Sequence, residues 1–126
     1  MQAAHENLEW LRRDDGAAFV HTWRIGEELC NGLREIFQKT STPAIVQNVG
    51  PMLQILFTDR ESIEDYRAFC SHVDRDRYRQ FALALFDQGV YMTPSAALHA
   101  VASLAHTSVD VAFTLEAVEK VLSGGA

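Results

Sequence analysis

The apolar positions between residues 6 and 39 recur with the period of an α-helix, and no proline interrupts them. This stripe consists of Phe19, Trp23, Gly26, Leu29 or Cys30, Leu33, Ile36 and Phe37. Asp14, Asp15 and Gly16 break the pattern with residue types that favour caps and turns over helix interiors. We therefore predict a short first helix and a longer amphipathic second helix, which ends before Pro43.

Short apolar runs replace the helical period after the second helix. The runs at residues 44–46 and 52–57 predict two strands, and Asn48-Val49-Gly50-Pro51 between them predicts a turn or a bulge. Residues 90–92 and 101–105 are candidates for two further short strands. The sequence thus predicts a sheet of three to four strands.

Helices are predicted between and after these strands. Residues 63–69 favour a helical turn, and Asp74 resembles the N-cap of a helix that stops at Gly89. The buried stripe of that helix is predicted to be Tyr78, Phe81, Ala82, Leu85 and Phe86. Thr107-Ser108-Val109-Asp110 resembles a capping box for the last helix. The apolar face of this last helix includes Ala112, Leu115, Val118, Val121 and Leu122.

This order of elements predicts an α+β fold. We expect a small, mostly antiparallel sheet of three to four strands with helices packed on one face, preceded by a long amphipathic helical segment. A chain of 126 residues has the size of one domain, so residues 1–126 are predicted to form a single domain.

Charge and special residue types exclude several classes of protein. Seventeen acidic and eleven basic residues give a net charge of −6, which argues against a nucleic-acid binder because phosphate contacts need clustered Lys and Arg. Cys30 and Cys70 lie far apart and predict reduced thiols, and the five histidines lack the spacing of metal ligands. With no leader-like amino terminus and no apolar run long enough for a membrane, we expect a cytoplasmic protein without metal or membrane partners.

Three stretches of the chain, taken in order, resemble one known family. They include Val49-Gly50-Pro51-Met52 leading into Leu56-Phe57-Thr58-Asp59, then Phe86-Asp87-Gln88-Gly89-Val90-Tyr91-Met92-Thr93-Pro94-Ser95, then Ser103-Leu104-Ala105-His106-Thr107-Ser108-Val109-Asp110. Together they resemble the C-terminal small domain of class III, pyridoxal-phosphate-dependent aminotransferases, in the branch that includes glutamate-1-semialdehyde aminomutase. The resemblance covers nearly the whole chain, because Gly26-Glu27-Glu28-Leu29 and Gly32-Leu33-Arg34 also match the family's entry into this domain.

The resemblance implies a cofactor that this chain does not hold by itself. Family members bind pyridoxal phosphate through a Schiff-base lysine, an acidic residue and a phosphate cup, all in a large domain that precedes this region. Lys39 and Lys120 each follow a glutamate by four residues, the spacing of exposed helical ion pairs, and no glycine-rich phosphate loop precedes a helix. We expect the large domain as partner, pyridoxal phosphate in the full-length enzyme, and none retained by this chain.

The candidate site is the loop from Pro94 to His99. The resemblance implies that this loop faces the substrate, with Ser95, Leu98 and His99 as candidate contacts, although a serine after proline is also a common turn former. In the aminomutase, the position of Leu98 is a glutamate that reaches toward substrate and cofactor. Because that carboxylate is absent here, we expect the parent enzyme to be a transaminase rather than an aminomutase. We assign no catalytic, cofactor-binding or metal-binding residue to this chain.

Other polar and aromatic residues have structural interpretations. His106 beside a helix start favours a hydrogen bond in the cap over catalysis, and the alternating charges of residues 74–77 with Arg79 favour a solvated face. Trp10, Phe19 and Trp23 favour core packing, although the resemblance places the same region against the large domain.

Two functions of different classes follow from these observations. The first is a fragment of a class III aminotransferase that is inactive alone and whose exposed face around Trp10, Phe19 or Trp23 favours self-association. The alternative is a stand-alone, non-catalytic interaction or ligand-binding module with this fold. A small independent enzyme with His99 or His106 as base ranks last, because neither has a nucleophile or acid partner at a recognisable spacing.

Overall fold

The computed structural model describes residues 1–124, which contain five α-helices and a three-stranded sheet. The helices are α1 (Gln2–Arg12), α2 (Ala17–Lys39), α3 (Tyr66–His72), α4 (Arg75–Asp87) and α5 (Ser108–Leu122). The strands are β1 (Ala44–Val49), β2 (Met52–Phe57) and β3 (Ala100–Val101). The predicted α+β fold is confirmed, and the last two residues of the predicted domain lie outside the described residues. Among residues 1–124, no helix combines the length and apolar character needed to cross a membrane.

A sharp corner separates α1 from α2. Residues 13–16 form one 3-10 turn, in which Asp14, Asp15 and Gly16 have φ angles of 52°, 54° and 79°. Aspartate and glycine enter this left-handed region more readily than most residues. The predicted division of the helical segment is thus confirmed, with the first helix starting at Gln2.

The sheet is an antiparallel hairpin with a short third strand. β1 and β2 pair along their whole length, and Met52 of β2 also pairs with Val101 of β3. α2 crosses the hairpin turn at Gly26, where a Cβ atom would lie 2.3 Å from the carbonyl oxygen of Gly50. Only glycine permits this approach of helix and turn.

A cluster of aromatic rings forms the core between the sheet and the helices. Phe57 of β2 contacts Phe37 of α2 and Phe81 of α4 edge-to-face, with ring centroids 5.8 Å and 5.2 Å apart. The last helix, α5, packs on α2, where Gly32 leaves room for the side chain of Leu115. Full burial of each large apolar side chain in this core contributes about 1.5–3 kcal/mol to stability.

The strand predicted at residues 90–92 is wrong. Gly89 has a φ angle of 84°, and the N–H of Val90 donates to the Leu85 carbonyl at 3.0 Å, which closes the C-terminus of α4. Because that N–H is committed to the helix end, the segment continues without strand pairing. The strand predicted at residues 101–105 is confirmed only at its start, since the chain turns back where His106 N–H donates to the Ser103 carbonyl at 3.1 Å.

Several apolar side chains that the helical period assigns to the core are exposed. Phe19 and Trp23 of α2 are 57% and 53% exposed, and Phe86 of α4 is 62% exposed. Ala112 of α5 and Trp10 of α1 are exposed as well, and α1 has no buried residue. Phe86 and Ala112 each follow a buried residue, Leu85 and Val111, so these two lie beside the packed face of the helix and not on it.

Candidate functional site

The loop between α4 and β3 contains a tight turn at the predicted site. Leu98 N–H donates to the Ser95 carbonyl at 3.1 Å, so that Ala96 and Ala97 are the two central residues of the turn. The N–H of Ser95 in turn donates to the Thr93 carbonyl at 2.8 Å. The segment is therefore a compact loop whose shape is set largely by its own backbone.

A side chain of β2 connects this turn to the sheet. The Nε2 group of Gln54 donates to the Ala96 carbonyl at 2.6 Å, and Ala96 is only 3% exposed. Gln54 pairs with Gln47 of β1, and its position alternates with that of Phe57, so it lies on the sheet face opposite the aromatic cluster. The loop thus packs on that opposite face.

The structure places the three predicted site residues at and beside the turn. Ser95 and Leu98 are its first and last residues, and His99 follows them directly before β3. Ser95 is half-buried, whereas Leu98 is 53% exposed and His99 is also exposed. Their contact with a substrate stays a prediction.

Ser95 lines a groove of about 480 Å³ between the loop and helices α3 and α4. Tyr66 of α3 lines it too, and its charged side chains are those of Asp74, Arg75, Asp76 and Arg79, at the start of α4. The alternating charges predict a solvated face, and these residues are indeed exposed. The four-residue spacing of Arg75 and Arg79 indicates that they share one side of a helix, but nothing in the sequence indicates that the loop lies beside it.

The first turn of α4 is organised by its own residues. Asp74 Oδ1 accepts the N–H of Arg77 at 2.9 Å, which confirms the predicted N-cap. The Arg77 guanidinium lies over the Phe57 ring, 5.0 Å from its centroid. Within residues 1–124, Arg75 and Arg79 form no ion pair, and the groove presents their two guanidinium groups together with the carboxylates of Asp74 and Asp76.

The two lysines do not fit the role of a Schiff-base lysine. Lys39 of α2 forms an ion pair with Glu119 of α5, and not with Glu35 as its spacing predicts. Lys120 is exposed on α5, and neither lysine lines the groove beside Ser95. Neither lysine therefore lies at the candidate site.

His106 forms hydrogen bonds that hold its own loop. Its Nδ1 accepts the N–H of Ser103 at 2.9 Å, and its carbonyl oxygen accepts the Nε2–H of His21 at 2.9 Å. His106 was predicted to form a hydrogen bond in the cap of α5, but its hydrogen bonds lie in the preceding loop. The cap itself is made by Thr107 and Asp110, as the predicted capping box requires. In the part of the chain that the structure describes, no group of His, Cys, Asp and Glu side chains is arranged to hold a metal ion.

Comparison with known proteins relates this fold and loop to one family. No family model matches the chain. Glutamate-1-semialdehyde 2,1-aminomutase of Syntrophus aciditrophicus is 35% identical over 119 residues, which cover 93% of this chain and 26% of that protein. The protein of the same name from Chloroflexus aggregans is 35% identical over 122 residues, covering 95% of this chain and 28% of that protein.

A solved structure agrees with these relatives. The FumI protein of Sphingopyxis sp. MTA144, in its pyridoxal-phosphate internal aldimine form, superimposes with a TM-score of 0.70 at 26% identity, covering 97% of this chain and 26% of that one. The fold of this chain is thus one that occurs within a pyridoxal-phosphate-containing protein. The chain belongs to the class III aminotransferases and is a fragment of such an enzyme. It spans about a quarter of the length of the curated relatives that it matches.

Proposed function

We propose that the enzyme to which this chain belongs is a transaminase, and that this chain supplies its C-terminal small domain. The observation that carries the proposal is Leu98, an exposed apolar residue at the end of the substrate-facing loop. A carboxylate at this position would hold a charged amino group through a charge-assisted hydrogen bond. Leucine offers only apolar contact.

The chemistry of the two reactions explains why a carboxylate at the position of Leu98 favours an aminomutase and a leucine favours a transaminase. An aminomutase moves an amino group within one molecule and has to retain that molecule between the two halves of the reaction. A transaminase releases one product before it binds the next substrate. An apolar residue at Leu98 favours release of a charged molecule and contact with an apolar part of an amine donor.

The proposed partner is the large domain of the same enzyme. Exposed apolar side chains are concentrated on α1 and on the first turns of α2, and we call this set the N-terminal apolar surface. It consists of Leu8, Trp10, Phe19, Val20 and Trp23, all exposed. Soluble monomers rarely expose contiguous apolar patches larger than a few hundred Å². This surface therefore supports a covering partner at the amino-terminal helices.

The cofactor is proposed to lie in that large domain. There it would supply the electron sink on which transamination depends. The substrate-facing contacts that we propose for this chain are Ser95, Leu98 and His99. The chain alone is proposed to retain no pyridoxal phosphate and to have no transaminase activity, because Lys39 and Lys120 lie outside the groove beside Ser95.

Substitution of Leu98 in the complete enzyme tests this proposal. Leu98→Glu is expected to raise the ratio of the isomerisation rate to the transamination rate on glutamate-1-semialdehyde by about tenfold or more, because a hydrogen bond to a charged group contributes about 1.5–3 kcal/mol. Leu98→Gln has the same length without the charge and serves as the control, which should leave the ratio unchanged. Efficient isomerisation by the enzyme with Leu98 intact would contradict the proposal.

A further inference from the structure

The turn between Ser95 and Leu98 has one side-chain anchor in the described structure. Gln54 Nε2 reaches the carbonyl of Ala96, the peptide group at the centre of the turn, at 2.6 Å. Among residues 1–124, no other side chain forms a hydrogen bond to the turn. Of the turn's two central residues, Ala96 is buried in the core and Ala97 is exposed, so one packed methyl group and the Gln54 amide hold the turn.

We propose that Gln54 is a positioning residue for substrate selection: its amide fixes the central peptide of the turn and thereby sets where Leu98 stands. This inference rests on the proposed function of the loop and adds a residue on a different element. A strand residue is well suited to this role, because β2 is paired with β1 along its whole length and the neighbours of Gln54, Leu53 and Ile55, are buried. Gln54 thus connects the loop to the central strand of the sheet.

The environment of the hydrogen bond makes it sensitive to loss. Ala96 is buried, and Gln54 is half-buried, so water has limited access to either partner. An acceptor that loses its donor in such a place must find a new partner by moving. The expected consequence is a mobile turn and a less defined position for Leu98.

Gln47 provides a matched control for Gln54. It lies directly opposite on β1, carries the same amide and is half-buried as well. Its side chain donates to the Ile63 carbonyl at 3.4 Å, away from the turn. Gln47→Leu therefore removes an amide from the same sheet face without removing a hydrogen-bond partner of the turn.

The first measurement uses this chain and does not depend on activity. Amide hydrogen exchange at Leu98, whose N–H closes the turn, is expected to be about two- to tenfold faster in Gln54→Leu, which is the range that loss of one hydrogen bond predicts. Gln54→Glu keeps the length but loses the donor, and it should give the same result if Gln54→Leu fails to fold. Gln47→Leu should leave exchange at Leu98 unchanged. Unchanged exchange in both Gln54 variants would overturn the proposal.

The second measurement uses the complete enzyme and two amine donors, one with a bulky apolar group and one small. Gln54→Leu is expected to raise KM for the bulky donor about two- to tenfold, with kcat within about twofold and the small donor unaffected. Equal effects on both donors would overturn the role in selection. If the unsubstituted enzyme fails to transaminate either donor, the proposed function fails, while the exchange experiment still tests the anchor.

Discussion

Single residues of this chain differ in chemistry mainly through burial, and the two cysteines illustrate this. Cys30 in α2 is buried, and burial raises its pKa to about 11, an effect that Arg34 only partly offsets. Cys70 in α3 is exposed. Because the thiolate is the reactive form, iodoacetamide at about pH 8 is expected to modify Cys70 and spare Cys30.

Peptide mass spectrometry of the alkylated chain measures this difference. The same reagent in denaturant should modify both cysteines, which controls for intrinsic reactivity. The folded state binds the Cys30 proton more tightly than the unfolded state does, so this thiol is also expected to lower stability as the pH rises from 9.0 toward about 11. Equal alkylation rates in native buffer would show that Cys30 is accessible in the folded chain.

At the scale of elements, the cap of α5 links helix stability to pH. Asp110 Oδ2 accepts the N–H of Thr107 at 2.7 Å and its hydroxyl at 2.8 Å, and these bonds lower the pKa of Asp110 below 3.8. A carboxyl whose pKa is lower in the folded state stabilises it above the unfolded pKa. That stabilisation is lost as the pH falls through the lowered value. Asp110→Asn is therefore expected to melt at a lower temperature near neutral pH and to show a weaker loss on acidification.

Thermal melts followed by circular dichroism between about pH 2 and pH 7 check this expectation. Asp59→Asn, a neutralised carboxyl at an exposed position beyond β2, is the matched control and should follow the unsubstituted chain. Identical acid dependence for the chain and for Asp110→Asn would show that the cap carboxylate does not contribute.

The elements with clear local signals could be predicted from sequence. Asp74 and the Thr107–Asp110 box mark the starts of α4 and α5, and residues 14–16 mark the break between the first helices. The prediction of a strand at residues 90–92 was wrong, because the Val90 N–H closes the end of α4 and does not pair with another strand. Periodicity identifies an apolar face, but it does not indicate which part of that face another element covers.

Of the residues at the candidate site, some could be predicted from the sequence and others could not. The resemblance located the loop with Ser95, Leu98 and His99, because its motif is local in sequence. The groove partners Tyr66 and Arg75 and the anchor Gln54 lie far from it along the chain. Their proximity depends on tertiary packing, for which no local pattern exists.

At the scale of the whole molecule, the N-terminal apolar surface governs how the isolated chain behaves. With no partner on this surface, the purified chain is expected to self-associate, and the net charge of −6 limits aggregation without covering the surface. Phe19→Ser should shift the chain toward monomer and reduce the binding of a hydrophobic dye. Sedimentation at several concentrations measures the shift.

A second exposed aromatic residue controls for hydrophobicity alone. Phe86 on α4 is 62% exposed and lies outside the N-terminal apolar surface, so Phe86→Ser should leave self-association unchanged. A strictly monomeric chain with a sharp cooperative melt and no dye binding would contradict the fragment interpretation of this surface.

A small rotation at the left-handed corner of residues 14–16 produces a large displacement at the far end of α1. α1 has 11 residues, which corresponds to a rod about 16 Å long. None of its residues is buried, so few contacts hold its far end. A rotation of about 10° at the corner moves that end by about 3 Å for a rod with this rise per residue. The backbone conformations of Asp14, Asp15 and Gly16 thus determine the direction in which α1 extends from α2.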